Sequence, residues 1–102
     1  MPVRVEWHRD ALNDLRRLDP ATQERIRRTT ADIKLLDDAR QRLVAYADNL
    51  KGYWKLRVGD YRLVCQLRRD AEGQLVMIIH LVHRGEAYRS PSLRTIRRRS
   101  ED

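Results

Sequence analysis

Cysteine is almost missing from this chain, with one residue, Cys65, among 102. A lone cysteine excludes an intramolecular disulfide framework, and no Cys/His spacing reads as a zinc site. Long apolar runs are missing too. None reaches the length of a membrane span, and the first residues lack the apolar segment of a signal peptide, so a cytoplasmic location is expected. Lysine is scarce, with 3 residues against 19 arginines; the guanidinium fork suits bidentate phosphate binding, although GC-rich coding gives the same ratio. Acidic residues number 15 against 22 basic ones, which leaves a net charge of +7 and a pI near 10.3. The excess is uneven, +2 over residues 1–51 and +5 over 52–102. A surplus concentrated in the second half points to phosphate. There is no internal repeat and no low-complexity linker. At this length, with 41% hydrophobic residues, a single domain spanning 1–102 with one modest core is expected.

The stretch that organises the rest is Gly52 to Leu67, GYWKLRVGDYRLVCQL. Residues that favour strands flank Gly59-Asp60, a pair that permits a two-residue hairpin. The turn sets the register: Val58 opposite Tyr61, Arg57 opposite Arg62, Leu56 opposite Leu63, Lys55 opposite Val64 and Trp54 opposite Cys65. Side chains alternate across a strand, so Trp54, Leu56, Val58, Tyr61, Leu63 and Cys65 share an apolar face. Lys55, Arg57, Arg62, Val64 and Gln66 share the other. Like charges directly opposite one another cost stability. Two arginines in that relation, with a lysine alongside, indicate an anionic partner.

Upstream, Val3 to Trp7 alternates as a short strand. From Arg9 the spacing becomes helical, with Ala11, Leu12, Leu15 and Leu18 in one stripe. Asp19-Pro20 ends that helix and starts another, with Asp19 as N-cap and Pro20 in the first turn. The second helix is expected over Pro20 to Leu36, with Ile26, Ile33 and Leu36 inward. The two helices form a hairpin expected to pack on the apolar side of the sheet. Ala39, Leu43 and Ala47 recur every four residues, which predicts a further helix over Asp37 to Ala47. Downstream, Leu75 to Val82 reads as a buried strand. Turning Met77, Ile79 and Leu81 toward the helices puts His80, Val82 and Arg84 on the side of Arg57 and Arg62; the opposite phase sends His83 there. Leu93 and Ile96 mark one side of the final segment, with Arg94, Arg97, Arg98 and Arg99 around them. The fold class that follows is α/β of the mixed α+β kind: a small, mainly antiparallel sheet with an N-terminal helical hairpin on one face.

A basic sheet face of this kind could work on a phosphodiester. Cleavage of RNA by its own 2′-hydroxyl needs a group to accept that proton, positive charge on the phosphorane, and a donor for the leaving oxygen. Arg57 and Arg62 supply charge. Lys55 is the candidate base, since cations beside it favour the neutral amine. Arg84 and Tyr88, four residues apart, add a cation and a phenol or stacking ring. His83 is a second candidate for base or phosphate contact, and Tyr53 for stacking on a base. The chemistry requires no metal and no cofactor. The same pattern also fits a solvated basic face without chemistry, because basic patches far outnumber ribonucleases. By the same weighing His80 is a buried imidazole, Trp7, Trp54 and Cys65 are core residues, and the Arg97–Arg99 run is either a phosphate-binding tail or a soluble end.

The LKG beginning at Leu50, the LRVGDYRLV run, and the apolar strand closed by His83-Arg84 and Tyr88 resemble the RelE/ParE superfamily of bacterial toxins from type II toxin–antitoxin pairs. The RelE branch is similar to a ribosome-dependent endoribonuclease that cuts mRNA in the decoding site. The ParE branch acts on DNA gyrase without cutting nucleic acid. The resemblance carries catalytic roles onto Lys55, Arg62, Arg84 and Tyr88. It departs at Tyr53, where such enzymes can carry a first lysine, and the loop from Arg84 to Tyr88 is shortened. It also implies partners: mRNA on the ribosome, and a small antitoxin, expected to be acidic, forming a hetero-oligomer with the toxin. The segment with Leu93 and Ile96 is a candidate for the element that such a partner displaces or covers. Three functions are therefore carried forward: an mRNA endoribonuclease, a gyrase inhibitor, and a catalytically silent antitoxin-binding module.

Overall fold

The structure is a computed structural model and describes residues 3–101. Its first strand, β1 (Arg4–Trp7), leads into two helices, α1 (Arg9–Arg16) and α2 (Pro20–Ile33). His8 caps α1 by accepting the Asp10 N–H on its ring, and Asp19 caps α2 by accepting the Thr22 N–H at 3.0 Å, with Pro20 at the first helical position. Each cap satisfies a donor that the first turn of a helix leaves unpaired. The two helices thus begin where the sequence places them. α2 stops three residues short of Leu36, because Lys34, Leu35 and Leu36 bond three residues back in a tightening last turn.

Four more strands follow: β2 (Val44–Ala45), β3 (Trp54–Val58), β4 (Tyr61–Asp70) and β5 (Gly73–His83). They assemble in the order β1-β5-β4-β3-β2, with β1 parallel to β5 and every other pair antiparallel. The β3–β4 register is the one dictated by the turn, from Val58 opposite Tyr61 to Trp54 opposite Cys65. Gly59 has φ +57° whereas Asp60 does not enter positive φ, which matches a turn with glycine at its first central position. A final helix, α3 (Ser90–Ser100), closes the chain.

The segment 37–47 is not a helix. A 3-10 turn at Ala39–Gln41 is followed by β2, and a second such turn at Asp48–Leu50 leads to β3. Several bonds, local and distant, divert it. The Asp38 carboxylate accepts the Arg40 N–H, the buried Gln74 side chain accepts the Ala39 N–H at 2.7 Å, and Val44 and Ala45 pair with Lys55 and Trp54. The buried positions are Ala39, Leu43, Tyr46 and Leu50. A helix would have given the same spacing, so periodicity alone pointed the wrong way.

One face of the sheet receives α1 and α2. There Leu56, Val58, Leu63, Cys65, Val76, Ile78 and Leu81 pack with Ala11, Leu15, Ile26 and Ile33. The other face receives α3, where Ile96 and Leu93 meet Val64, Leu50, Tyr46, Ala87 and Tyr53. Neither single phase proposed for β5 holds along its whole length. Val64 pairs with His80 but Cys65 with Ile78, so Ile79 is an extra residue and the alternation reverses across it. Before the bulge Val76 and Ile78 face α1 and α2; after it Leu81 does.

Candidate functional site

The face that α3 leaves uncovered holds a cleft of about 140 Å³ lined by Tyr46, Lys55, Arg62, Gly85, Ala87 and Tyr88. Its floor comes from strand alternation: Lys55 on β3 and Arg62 on β4 project to the same side, with Arg57 directly opposite Arg62 in the ladder. Its wall comes from the loop after β5. Gly85, at φ +83°, turns that loop back so that Ala87 is buried against Ile96 and Val64 while Tyr88 stays 47% exposed.

Arg62 folds toward the hairpin turn, where its Nη1 donates to the Gly59 and Tyr61 carbonyls at 2.9 Å each. Those bonds fix the guanidinium without neutralising it. Arg84 is held at the same turn: its N–H donates to the Asp60 carbonyl at 2.7 Å, and its Nε lies 3.8 Å from the Asp60 carboxylate. Both side chains of that ion pair are largely exposed, so it is loose and Arg84 stays at the rim. Arg57 is exposed and makes no ion pair among the described residues. The Lys55 ammonium sits 5.4 Å from the centre of the Tyr46 ring, and the Tyr46 and Tyr88 rings meet edge to face at 5.7 Å. Among the described residues no group of three His, Cys, Asp or Glu side chains could hold a metal ion.

Of the residues singled out from sequence, the fold therefore brings Lys55, Arg62 and Tyr88 into one cleft, with Arg57 beside it and Arg84 at its edge. Two others lie elsewhere. His83 pairs with Tyr61 on the opposite face and rests edge to face on that ring at 5.6 Å. Tyr53 is half-buried beneath α3; Ser100 Oγ donates to the Ile96 carbonyl, so the Tyr53 hydroxyl donates to Ser100 Oγ at 2.6 Å. The ring is a strut for α3 and not a free stacking platform. Cys65 is buried, and burial pushes its thiol well above the ordinary range, which makes it inert.

Sequence reasoning missed two features. Tyr46 fell inside the segment read as helix, and only the β2–β3 pairing, continued by the Tyr46 N–H to the Tyr53 carbonyl at 3.0 Å, turns it toward Lys55. Arg99 fell inside a charge run. It is 9% exposed, and its Nη1 donates to the Asp14 carboxylate of α1 at 2.8 Å, to the Ile79 carbonyl at 3.0 Å and to His80 Nδ1 at 3.3 Å. Burial, reinforced by the Arg99 charge and opposed by Asp14, lowers the His80 pKa to about 4. His80 is thus a neutral core imidazole, and Arg99 ties α3 across β5 to α1.

The domain is arginine-rich and of the α+β kind, and its open cleft is cationic. The family model for the ParE toxin of the type II toxin–antitoxin system parDE matches residues 5–88, and the chain belongs to the RelE/ParE toxin superfamily. Among solved structures it is similar to the toxin–antitoxin complex RelBE2 from Mycobacterium tuberculosis, at 25% identity and TM-score 0.68, over 82% of this chain and 93% of that one. It is also similar to the archaeal RelE–RelB complex from Pyrococcus horikoshii, at 22% and 0.62, over 85% and 100%. A mutant of the E. coli toxin RelE in the free state aligns at 20% and 0.64 over 97% and 98%, and shares the fold. No curated protein sequence is significantly similar to the chain. The first two are complexes of toxin with antitoxin, as is the RelB–RelE structure from Methanococcus jannaschii, which shares the fold.

Proposed function

We propose that this toxin is a ribosome-dependent mRNA endoribonuclease whose working surface is the cleft between β3, β4 and the loop after β5. The observation that supports it is the convergence of Lys55, Arg62 and Tyr88, with Arg57 and Arg84 at the margin, on one uncovered patch. In this reading an mRNA phosphate lies against Arg62, with Arg57 and Arg84 adding charge. Lys55 accepts the ribose 2′-proton as the 2′-oxygen attacks phosphorus, and the P–O5′ bond breaks to give a 2′,3′-cyclic phosphate. Tyr88 donates a proton to the departing 5′-oxygen or stacks on a base. No step calls on a metal or a cofactor. The ribosome presents the strand, and an acidic antitoxin neutralises the toxin in a hetero-oligomer, which a +7 surface favours.

A second reading has its own support. The matching family model is that of ParE toxins, and the residue two before Lys55 is Tyr53, bound to α3, where nuclease relatives can carry a lysine. A gyrase inhibitor would then use another surface and leave the cleft idle.

Primer extension on a defined mRNA, with and without translating ribosomes and with gyrase supercoiling assayed in parallel, separates the two. Cuts that require ribosomes and fall at least about 100-fold in Arg62→Ala are the expected result, since a charge stabilising a phosphorane is worth that much. Arg62→Ala that still arrests growth would sink the cleft mechanism. Intact RNA with inhibited supercoiling would establish the second reading.

A further inference from the structure

We propose that Tyr46 is a positioning residue for the proposed ribonuclease reaction, one ring setting both the amine that takes the 2′-proton and the phenol opposite it. The inference rests on the endoribonuclease reading and goes beyond it, because Tyr46 belongs to no part of the chemistry assigned so far.

Three observations carry it. Tyr46 is 7% exposed, and its ring is packed with Leu50, Val64, Ala87 and Ile96. Its backbone is pinned just ahead of β3 by the bond from its N–H to the Tyr53 carbonyl. The ring is therefore held on several sides. Second, it touches both candidate proton-transfer groups, with the Lys55 ammonium 5.4 Å from its centre and the Tyr88 ring against it at 82°. A cation over an aromatic face and an edge-to-face ring pair are both attractive and directional, so the Lys55 and Tyr88 positions are set by the same plane. Lys55 makes no side-chain hydrogen bond among the described residues, and Tyr88 is 47% exposed on a loop, so neither has a comparable alternative anchor. Third, the Tyr46 hydroxyl is buried with no hydrogen-bond partner among the described residues. Burial pushes its pKa up, so the phenol stays protonated. The hydroxyl takes no part, and the ring does.

The substitutions follow from that division. Tyr46→Leu fills much of the space but offers no π face; Tyr46→Phe keeps the ring. Multiple-turnover cleavage on ribosomes programmed with a defined mRNA should show kcat falling about 10- to 100-fold in Tyr46→Leu with KM nearly constant, the loss typical of a reacting group misplaced by about 1 Å. Tyr46→Phe should recover most of that kcat. In a Lys55→Ala background Tyr46→Leu should cost several-fold less than it does in the wild type, because the part of its effect that acts through Lys55 is gone and only the part through Tyr88 remains. Independent losses that multiply in the double variant would overturn the role, as would a folded Tyr46→Leu with wild-type kcat. Should Tyr46→Leu not fold, wild-type NMR still decides: ring-shifted Lys55 Hε signals with cross-peaks to Tyr46 are expected, and their absence overturns the proposal. Wild-type protein that cuts no RNA would remove the endoribonuclease reading itself, and this role with it, whereas cutting that tolerates Tyr46→Leu removes this role alone.

Discussion

The two faces of this sheet are covered unequally. On one, α1 and α2 together close over a continuous apolar surface from Val58 and Leu63 to Val76 and Ile78. On the other, the single helix α3 packs with Val64, Leu50, Tyr46, Ala87 and Tyr53 and ties to β5 through Arg99, and Lys55, Arg57 and Arg62 stay open. Burial on the first face is what stabilises the domain, at roughly 25 cal/mol for each Å² of apolar surface removed from water. The second face gives up some of that stabilisation, and the gap it leaves is where charge can meet a ligand. A small domain cannot serve both ends with the same surface, so the chain divides them between faces.

The strongest way to test that division is to damage each core in turn. Leu63→Ala, at a fully buried position on the α1/α2 face, should lower global stability by about 2–5 kcal/mol in denaturant titration. Ile96→Ala, equally buried under α3, should act locally. Hydrogen exchange should show α3 amides losing protection while β4 and β5 keep theirs. Equal global losses for both would mean that the two faces form one cooperative unit and that the division is only geometric.

A smaller effect probes the tie between the faces. His80 is held neutral in the fold, with a pKa of about 4 against 6.5 for the free side chain. Between those values the unfolded chain binds more protons, so stability is full above pH 6.5 and is lost as the pH falls toward 4. The loss should be roughly 2 kcal/mol by guanidinium titration at pH 7 and pH 4.5, and His80→Gln should flatten it. An unchanged slope in His80→Gln would place the acid sensitivity elsewhere.

Much of this was legible in the chain. The hairpin register followed from Gly59-Asp60 because a two-residue turn admits one pairing and alternation does the rest. Asp19-Pro20 marked a helix boundary by capping chemistry alone. What escaped was whatever depended on a distant partner. Buried residues at 39, 43, 46 and 50 suit a helix, and only Gln74, far along the chain, binds Ala39 N–H and holds that segment out of one. The phase of β5 could not be chosen because both choices were right, on either side of Ile79. Arg99 sat among arginines that are solvated, and its burial required Asp14 and the Ile79 carbonyl to be brought beside it. Of the residues in or beside the candidate cleft, Lys55, Arg62, Arg84 and Tyr88 were singled out through the hairpin and the family resemblance. Tyr46 was lost with the strand it extends, and Tyr53 and His83 were assigned to the open face before α3 and the bulge could remove them from it.

The smallest expected effect is the most direct reading of the open face. Arg57 stands opposite Arg62 across the β3–β4 ladder with no carboxylate paired to it among the described residues. Facing like charges there should cost a few tenths of a kcal/mol to about 1 kcal/mol. Arg57→Gln removes that repulsion and keeps a polar side chain with the same aliphatic stem as far as Cγ, so the folded protein should gain stability by about that amount at low salt and by less at high salt. The same substitution should weaken binding to ribosome-bound mRNA and make the slope of log affinity against log salt shallower by roughly one phosphate contact. Opposite signs for stability and binding would show that the chain keeps a mildly destabilising charge for an anionic ligand. Arg57→Gln that stabilises the protein and leaves both RNA binding and its salt slope untouched would make this arginine part of an idle basic surface, and would turn attention from the sheet face to the helices behind it.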